Sequence, residues 1–180
     1  TPMRIAWGLE STYLNKYGYN KGLKKVFAKY LINRLKKWDA KTEDGVDFFI
    51  SNSAFVKDRI QRAYDRKAKV IYPPVDTEKF EFRERKDDFY FTASRFVDYK
   101  NIDLIIKAFN QLPDKRLVIA GHGPLEKYFK RIAGPNIEFL GWVSEEKLIY
   151  YMQRAKAFLN ASVEDFGIAG LEAQSTGTPV

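Results

Sequence analysis

The sequence contains no cysteine, a single histidine and no long apolar run. The absence of cysteine excludes disulfides and thiolate metal sites, and it is typical of proteins in a reducing compartment. No stretch approaches the ~18 apolar residues that a membrane-spanning helix needs. No apolar segment of the kind found in signal peptides follows Arg4. These absences together predict a cytoplasmic protein.

The usual residues of metal and dinucleotide sites are also missing. No group of His, Asp and Glu has metal-ligand spacing, so the sequence predicts no metal site. His122 has no obvious carboxylate or nucleophile beside it, and we interpret it as a loop residue. Gly121 and Gly123 follow a predicted strand, but the third glycine of the dinucleotide fingerprint and its acidic partner are absent. The two glycines instead favour a close approach of the backbone to a ligand.

Charge is present in excess of one sign and is unevenly distributed. The net charge is +8, and residues 1–80 hold 17 Lys and Arg against 9 Asp and Glu, whereas residues 81–180 hold 14 of each. This asymmetry predicts two parts with different partners. An anionic membrane surface could attract the basic part, or the lysines could simply form a solvated face. We predict no nucleic-acid binding, because the sequence has no motif of interleaved aromatic and basic residues.

The basic part contains one strongly patterned helix. Residues 1–20 show no clear periodicity, but residues 23–38 are amphipathic, with lysines mostly outside the apolar stripe. Such a helix either packs on a core or lies on a membrane surface as a peripheral contact. If the stripe is left uncovered, it favours association between copies. The stripe consists of Leu23, Val26, Phe27, Tyr30, Leu31, Leu35 and Trp38.

The remaining chain alternates between strands and helices. After a domain boundary within residues 75–88, this alternation predicts βαβ units, and hence a Rossmann-like parallel sheet with helices on both faces. We therefore predict two domains, residues 1–80 and 81–180. Predicted strands are 47–51, 69–72, 89–94, 116–120, 136–140 and 157–160, with another beginning at 179; predicted helices are 54–64, capped by Asn52 or Ser53, 101–110, 124–132, 145–155 and 167–176.

Ligands of such sheets bind at the carboxyl ends of the strands. Arg95 ends one predicted strand and Lys100 begins the next helix, so the two cations either neutralise a diphosphate or are solvated loop residues. Glu164 lies on the loop before the last helix, and Glu172 lies more than one turn inside that helix. With the free helix N–H groups near residues 166 and 167, these carboxylates suit a ligand with hydroxyls and negative charge. An acidic N-cap and an ordinary solvated Glu are the alternative.

Several segments together resemble a known family. SRFVDYKNIDLIIKAF, VIAGHGP, IEFLGWVS and EDFGIAGLEAQSTGTPV, which contains Glu164-x7-Glu172, resemble the family 4 retaining glycosyltransferases of GT-B architecture over roughly residues 47–180. TPMRIAW further resembles prokaryotic mannosyltransferases of cell-surface polysaccharide (O-antigen) synthesis, in which a His directly precedes TPMR. The resemblance implies a fragment. Residues 1–80 would end the acceptor-side domain, and residues 81–180 would form most of the nucleotide-sugar-binding domain without its last strands.

The resemblance also implies roles for individual residues. Arg95 and Lys100 would hold the donor diphosphate, and Glu164 would bind the donor sugar, so these three are the expected catalytic residues. Glu172 would bind the ribose. The expected donor-binding set also includes Gly121 and Gly123, the nucleobase loop at Trp142 and Val143, and the backbone of Phe166, Gly167 and Ile168.

The implied reaction is retaining transfer of mannose from GDP-mannose to a lipid-linked glycan acceptor, with neither cofactor nor metal. A family member that uses a UDP-sugar and a non-catalytic nucleotide-binding module are the alternatives. Glu164 and Glu172 favour the transferase, because a bare nucleotide module needs no second carboxylate for sugar hydroxyls. We expect residues 1–180 alone to bind a donor but not to catalyse transfer, because the opposite wall would lie in the rest of the first domain.

Overall fold

The computed structural model describes residues 2–180, and the chain divides into two compact units, residues 1–73 and residues 74–180. In the first unit, β1 (Phe49–Ser51) and β2 (Ala68–Val70) pair in parallel, with helix α4 between them. Of the two predicted caps, Asn52 and Ser53, it is Ser53 that caps α4, by accepting a hydrogen bond from the N–H of Val56 at 3.0 Å. The helices of this unit are α1 (Arg4–Trp7), α2 (Glu10–Lys16), α3 (Gly22–Lys41) and α4 (Ala54–Tyr64), with a 3₁₀ turn at Thr42–Gly45.

The first two helices correct the expectation that residues 1–20 are irregular. Helix α1 forms around Asp39, which is 7% exposed near the end of α3, whereas α2 is linked to α3 by the ion pair between Glu10 and Lys36 at 2.7 Å. One Asp39 carboxylate oxygen accepts hydrogen bonds from the N–H of Met3 at 3.1 Å, from the indole of Trp7 at 2.7 Å and from the hydroxyl of Tyr64 at 3.0 Å. Tertiary hydrogen bonds to a buried carboxylate therefore organise this segment, which explains why its sequence shows no helical period.

Helix α3 confirms the predicted helix but leaves its apolar stripe uncovered. Leu23, Val26 and Phe27 are 87%, 66% and 64% exposed, respectively. Helix α3 is long, but it is rich in lysine. Among the residues that the structure describes, no helix combines the length and apolarity needed to cross a membrane.

The second unit is built on a parallel sheet in the order β3-β4-β5. Alternate residues of the central strand β4 enter two different cores: Leu117 and Ile119 pack with α5 and α6, and Val118 and Ala120 pack with α7 and α8. Helices therefore cover both faces, which confirms the predicted Rossmann-like fold. The elements are β3 (Tyr90–Ala93), a 3₁₀ turn (Asp98–Lys100), α5 (Ile102–Asn110), β4 (Leu117–Ala120), α6 (Glu126–Ile132), β5 (Ile137–Gly141), α7 (Glu145–Arg154) and α8 (Ile168–Ser175).

The segment predicted as a strand at residues 157–160 forms only an isolated parallel bridge between Phe158 and Phe91 of β3. The N–H of Phe91 donates to Ala157 O at 3.0 Å, and the N–H of Leu159 donates to Phe91 O at 2.7 Å. The segment at Pro179 is not a regular strand either, although the Pro179 carbonyl accepts a hydrogen bond from the N–H of Phe158 at 2.7 Å. These pairings are too short to form a ladder, but they place residues 157–159 on the side of β3 opposite to β4.

This placement creates a switch point in the strand order. Beginning at β3, the chain adds β4 and β5 on one side and then returns to place residues 157–159 on the other side. In open parallel sheets a crevice forms where the order reverses, outside the carboxyl ends of the two diverging strands. Here those ends continue into residues 94–101 and residues 160–167.

Candidate functional site

The carboxyl ends of the three regular strands of the second unit surround a shallow cavity of about 300 Å³. Arg95 follows β3, Gly121 and His122 follow β4, and Trp142 and Val143 follow β5, and all five line this cavity. Four of them are predicted site residues, and the fold brings them together from positions almost fifty residues apart. His122, interpreted from the sequence as a loop residue, also lines the cavity. Its place between two glycines at a strand end is the signal that could have marked it.

Gly121, which lines this cavity, and Gly123 bring two loops into contact. A Cβ atom on Gly121, whose φ is +127°, would lie 1.9 Å from the carbonyl oxygen of Ser94. A Cβ atom on Gly123 would lie 2.7 Å from the carbonyl oxygen of Phe96. The N–H of Phe96 donates to His122 O at 2.9 Å. The glycines therefore let the loop after β4 lie against the loop after β3, and their approach to a ligand stays a prediction.

Lys100 lies in a different environment from Arg95. Its Nζ atom forms an ion pair with Glu164 Oε1 at 2.5 Å, and the two side chains are 19% and 22% exposed. Asn101 links the same two loops through a hydrogen bond from its side-chain amide to Ala161 O at 3.0 Å. Ser162 donates its hydroxyl hydrogen bond to the same Glu164 oxygen. Two predicted site residues thus meet across the switch point, with Lys100 neutralised by a carboxylate.

The loop before α8 ends in a left-handed residue. Gly167 has a φ of +83° and immediately precedes the first helical residue, Ile168. This conformation suits glycine and turns the chain from Phe166 into the helix. The N–H of Gly170 donates to Gly167 O at 3.0 Å, which begins the helical hydrogen bonding. The predicted backbone-binding residues therefore occupy the turn that leads into α8.

Glu172 lies in α8 and has its own charged neighbours. Its side chain is half-buried, and burial raises the pKa of its carboxyl above the usual value. The charge of Glu145 raises this pKa further, whereas that of Lys79 opposes the shift. Lys79 and Glu145 form an ion pair with each other. Sequence reasoning missed both, because Lys79 lies in the segment taken as a linker and Glu145 at the start of α7.

No group of three or more His, Asp or Glu side chains among residues 2–180 is arranged to hold a metal ion. The arrangement offers an exposed arginine and an exposed indole at one cavity. It also offers an ammonium–carboxylate pair that joins the loop after β3 to the loop at residues 160–167. An arginine fork suits phosphate oxygens, and an exposed ring face suits a nucleobase.

Comparison with solved structures defines the class of protein to which this fold belongs. The chain is similar to Anabaena Alr3699/HepE in complex with UDP and glucose, with a TM-score of 0.70 and 18% identity over 82% of this chain and 47% of that one. It is also similar to TarM, with a TM-score of 0.67 and 17% identity over 82% of this chain and 31% of that one. At these identities the likeness shows the fold, which is the Rossmann-like fold of GT-B glycosyltransferases.

The sequence comparison then gives the family. Residues 75–180 match the family described as Glycosyl transferases group 1, and the chain belongs to that family. It is 30% identical to the uncharacterized glycosyltransferase YqgM of Bacillus subtilis over 147 residues, which are 74% of this chain and 41% of that protein. It is 35% identical over 102 residues to a GDP-mannose-dependent monoacylated alpha-(1-6)-phosphatidylinositol monomannoside mannosyltransferase of Corynebacterium glutamicum, covering 48% of this chain and 27% of that protein. The chain thus spans less than half the length of these relatives.

Proposed function

We propose that the second unit binds the nucleotide-sugar donor of a retaining hexosyltransferase at the carboxyl ends of its sheet. The observation that carries the proposal is the meeting of Arg95, His122 and Trp142 at one cavity beside the switch point of a fold shared with glycosyltransferases. We assign the first unit to the acceptor side of the same enzyme. Neither a cofactor nor a metal enters the proposal.

Each side chain has a role that its chemistry can perform. The Trp142 ring, 73% exposed, stacks on the nucleobase, and the planar guanidinium group of Arg95 binds the diphosphate. Glu172 accepts hydrogen bonds from the ribose hydroxyls, and Glu164 accepts them from the sugar. Backbone N–H groups of residues 166–168 complete the contacts to sugar and phosphate.

The reaction follows from where charge develops. The bond between the anomeric carbon and the diphosphate oxygen breaks, and its electron pair stays on that oxygen. The acceptor hydroxyl oxygen bonds to the anomeric carbon on the same face, and the hydroxyl proton passes to the departing diphosphate oxygen. Positive charge grows on the sugar and negative charge on the departing diphosphate. Arg95, Lys100 and the start of α8 stabilise the diphosphate as its charge increases, which lowers the barrier more than equal binding of the ground state would.

The donor that we propose is GDP-mannose, and the acceptor is a lipid-linked glycan of cell-surface polysaccharide synthesis. The donor assignment is supported by the relative from Corynebacterium glutamicum, which is named as a GDP-mannose-dependent mannosyltransferase. We also propose that the protein is cytoplasmic and contacts the inner face of the membrane peripherally. The membrane contact is supported by the net charge of +8 and the exposed apolar stripe of lysine-rich α3. A UDP-sugar is the second candidate donor, because similar solved structures are named as complexes with UDP.

The test is a thermal-shift panel on the 180-residue chain with GDP, UDP and ADP, each free and as its sugar conjugates. We expect GDP-mannose to give the largest shift. At a hundredfold excess over Kd, a ligand stabilises the fold by about 2.7 kcal/mol. That gain corresponds to roughly 5–10 °C in Tm for a chain of this size. The absence of a shift with every nucleotide would contradict the donor site.

The Arg95→Ala variant tests the diphosphate contact. The loss of a charge-assisted hydrogen bond costs about 1.5–3 kcal/mol, which corresponds to roughly 10- to 150-fold weaker nucleotide binding. Arg85→Ala is the matched control, because Arg85 is also an exposed arginine of the second unit but lies outside the cavity. Equal affinities of the two variants in calorimetry would remove Arg95 from the site.

A further inference from the structure

The ion pair between Lys100 and Glu164 joins two loops that begin on opposite sides of the switch point. The Nζ and Oε1 atoms are 2.5 Å apart, and about four-fifths of each side chain is shielded from solvent. The loops are held in register by the hydrogen bond from Asn101 to Ala161 O at 3.0 Å. The hydrogen bond between the loops therefore restrains the ion pair. Holding this pair in one geometry costs less side-chain entropy than holding two mobile side chains on the surface.

This geometry has consequences for a diphosphate that needs Lys100. The ammonium group already has a carboxylate partner, so a diphosphate must compete with Glu164 for it. If Glu164 stays in place, the incoming phosphates also meet its negative charge at close range, which is unfavourable. A bare nucleoside diphosphate offers Glu164 nothing in exchange, because it has no hydroxyl on the side of the β-phosphate.

A nucleotide sugar differs in this respect. Its hydroxyls can donate hydrogen bonds to the Glu164 carboxylate, so that Glu164 exchanges Lys100 for the sugar while Lys100 exchanges Glu164 for the diphosphate. Both groups remain partnered after the exchange, and neither is left unsatisfied in a partly buried position. The cost that opposes the nucleoside diphosphate is thus removed when the sugar is attached.

We propose that Glu164 is a specificity-determining residue that competes with the diphosphate for Lys100, so that the site favours the nucleotide sugar over the nucleoside diphosphate. After transfer, the sugar no longer occupies Glu164, which reclaims Lys100 and weakens the hold on the product. This inference rests on the proposed function of the site as a donor site. It adds a discrimination between donor and product that follows from the ion pair.

The experiment compares Glu164→Gln with the unchanged chain by calorimetric titration of GDP and GDP-mannose, or of the UDP pair if that pair binds better. The amide cannot hold Lys100 as an ion pair, so the nucleoside diphosphate should bind about five- to tenfold tighter. The nucleotide sugar should gain less or lose affinity, because an amide is a weaker acceptor for its hydroxyls. The gain should be larger at low ionic strength, since salt screens the competition.

Two further variants make the cause specific. In a Lys100→Gln background the gain from Glu164→Gln should disappear, because the contested cation is gone. Asp103→Asn is the matched control, because it breaks the Lys107–Asp103 ion pair of 3.0 Å on α5 and should alter neither affinity. If Glu164→Gln does not fold, as judged by circular dichroism, Glu164→Ala takes its place in the same titrations.

Each result has a defined consequence. Unchanged or weaker binding of the nucleoside diphosphate to Glu164→Gln, together with normal nucleotide binding by the unchanged chain, overturns the inference and leaves the donor site standing. The ion pair would then only hold the two loops together, with no effect on ligand selectivity. A gain that persists in the Lys100→Gln background overturns it as well. Failure of every nucleotide to bind the unchanged chain overturns the donor site and, with it, this inference.

Discussion

Arg95 and Lys100 lie five residues apart on the same loop, yet their charges are available to different degrees. The Arg95 side chain is exposed and lines the cavity, whereas the charge of Lys100 is neutralised by Glu164. We therefore expect Arg95 to attract a diphosphate to this edge before Lys100 does, because attraction by Lys100 requires its ion pair with Glu164 to open.

Glu172, the proposed ribose-binding carboxylate, has a pKa shift that bears on stability. Its pKa is raised by burial and by Glu145, so the folded chain holds this proton more tightly than the unfolded chain does. The corresponding stability is fully present below the unfolded pKa of about 4.3 and is lost as the pH rises through the folded pKa. At neutral pH the ionised carboxylate therefore opposes folding.

Because the pKa of Glu172 is raised, we expect Glu172→Gln to raise Tm at pH 7. The difference in Tm between this variant and the unchanged chain should shrink as the pH falls toward about 4. The amide keeps the shape of the side chain but carries no charge to desolvate. Calorimetric melting between pH 4.5 and pH 8 measures the difference, with exposed Glu78→Gln as the control. A lower Tm for Glu172→Gln across the whole range would show that the carboxylate stabilises the fold.

At the scale of elements, the carboxyl ends of β3 and β4 are joined by backbone contact rather than by side chains. The N–H of Ser94 donates to Ala120 O at 3.1 Å, one residue before the close approach of Gly121 to the Ser94 carbonyl. The two loops thus form one surface, on which Arg95 and His122 are carried. Their separation depends on the absence of a side chain at Gly121.

We expect Gly121→Ala to destabilise the chain by at least about 3 kcal/mol, because its φ of +127° disfavours alanine and the new Cβ would lie 1.9 Å from Ser94 O. Gly141→Ala is the matched control. Its φ is +69° and no atom lies within 4 Å of the added Cβ, so only backbone strain of about 1–2 kcal/mol should appear. Urea denaturation measures both. Equal losses would mean that the loop after β4 can move away from β3 without cost.

At the scale of the whole molecule, the two units have different charge and different candidate roles. Every candidate donor-binding residue and the entire family match at residues 75–180 fall in the second unit, whereas the exposed apolar stripe and the excess positive charge fall in the first. Ligand-induced stabilisation should therefore be local rather than uniform, since only contacts made in the bound state slow local opening.

We expect saturating donor nucleotide to slow hydrogen–deuterium exchange in peptides covering residues 94–101, 121–124 and 160–168, and to leave residues 2–73 unchanged. Mass spectrometry of peptic fragments measures this pattern. Arg95→Ala at the same nucleotide concentration should reduce the protection. Protection confined to the first unit would show that the nucleotide does not bind at the parallel sheet of the second unit.

The amino-acid sequence alone predicted the helices and the three regular strands of the second unit in their order, the βαβ architecture, and the bounds of helix α4 with its cap at Asn52 or Ser53. Strand ends indicated Arg95 and Gly121, and the family resemblance implied Trp142 and Val143; all four line one cavity. The elements, the cap and the residues at strand ends depend on periodicity and capping, which are local properties of a chain. They follow from neighbouring residues, whichever partners the fold later supplies.

Tertiary packing determines which charges meet. Lys100 pairs with Glu164, 64 positions away, and Glu172 is influenced by Glu145 and Lys79. Helix α1 forms around Asp39, α2 is linked to α3 through Glu10 and Lys36, and residues 157–160 pair with β3 through a single bridge. No local pattern encodes these outcomes, because each depends on how loops of different origin are positioned by the packed sheet and helices. An ion pair at 2.5 Å is set by that positioning.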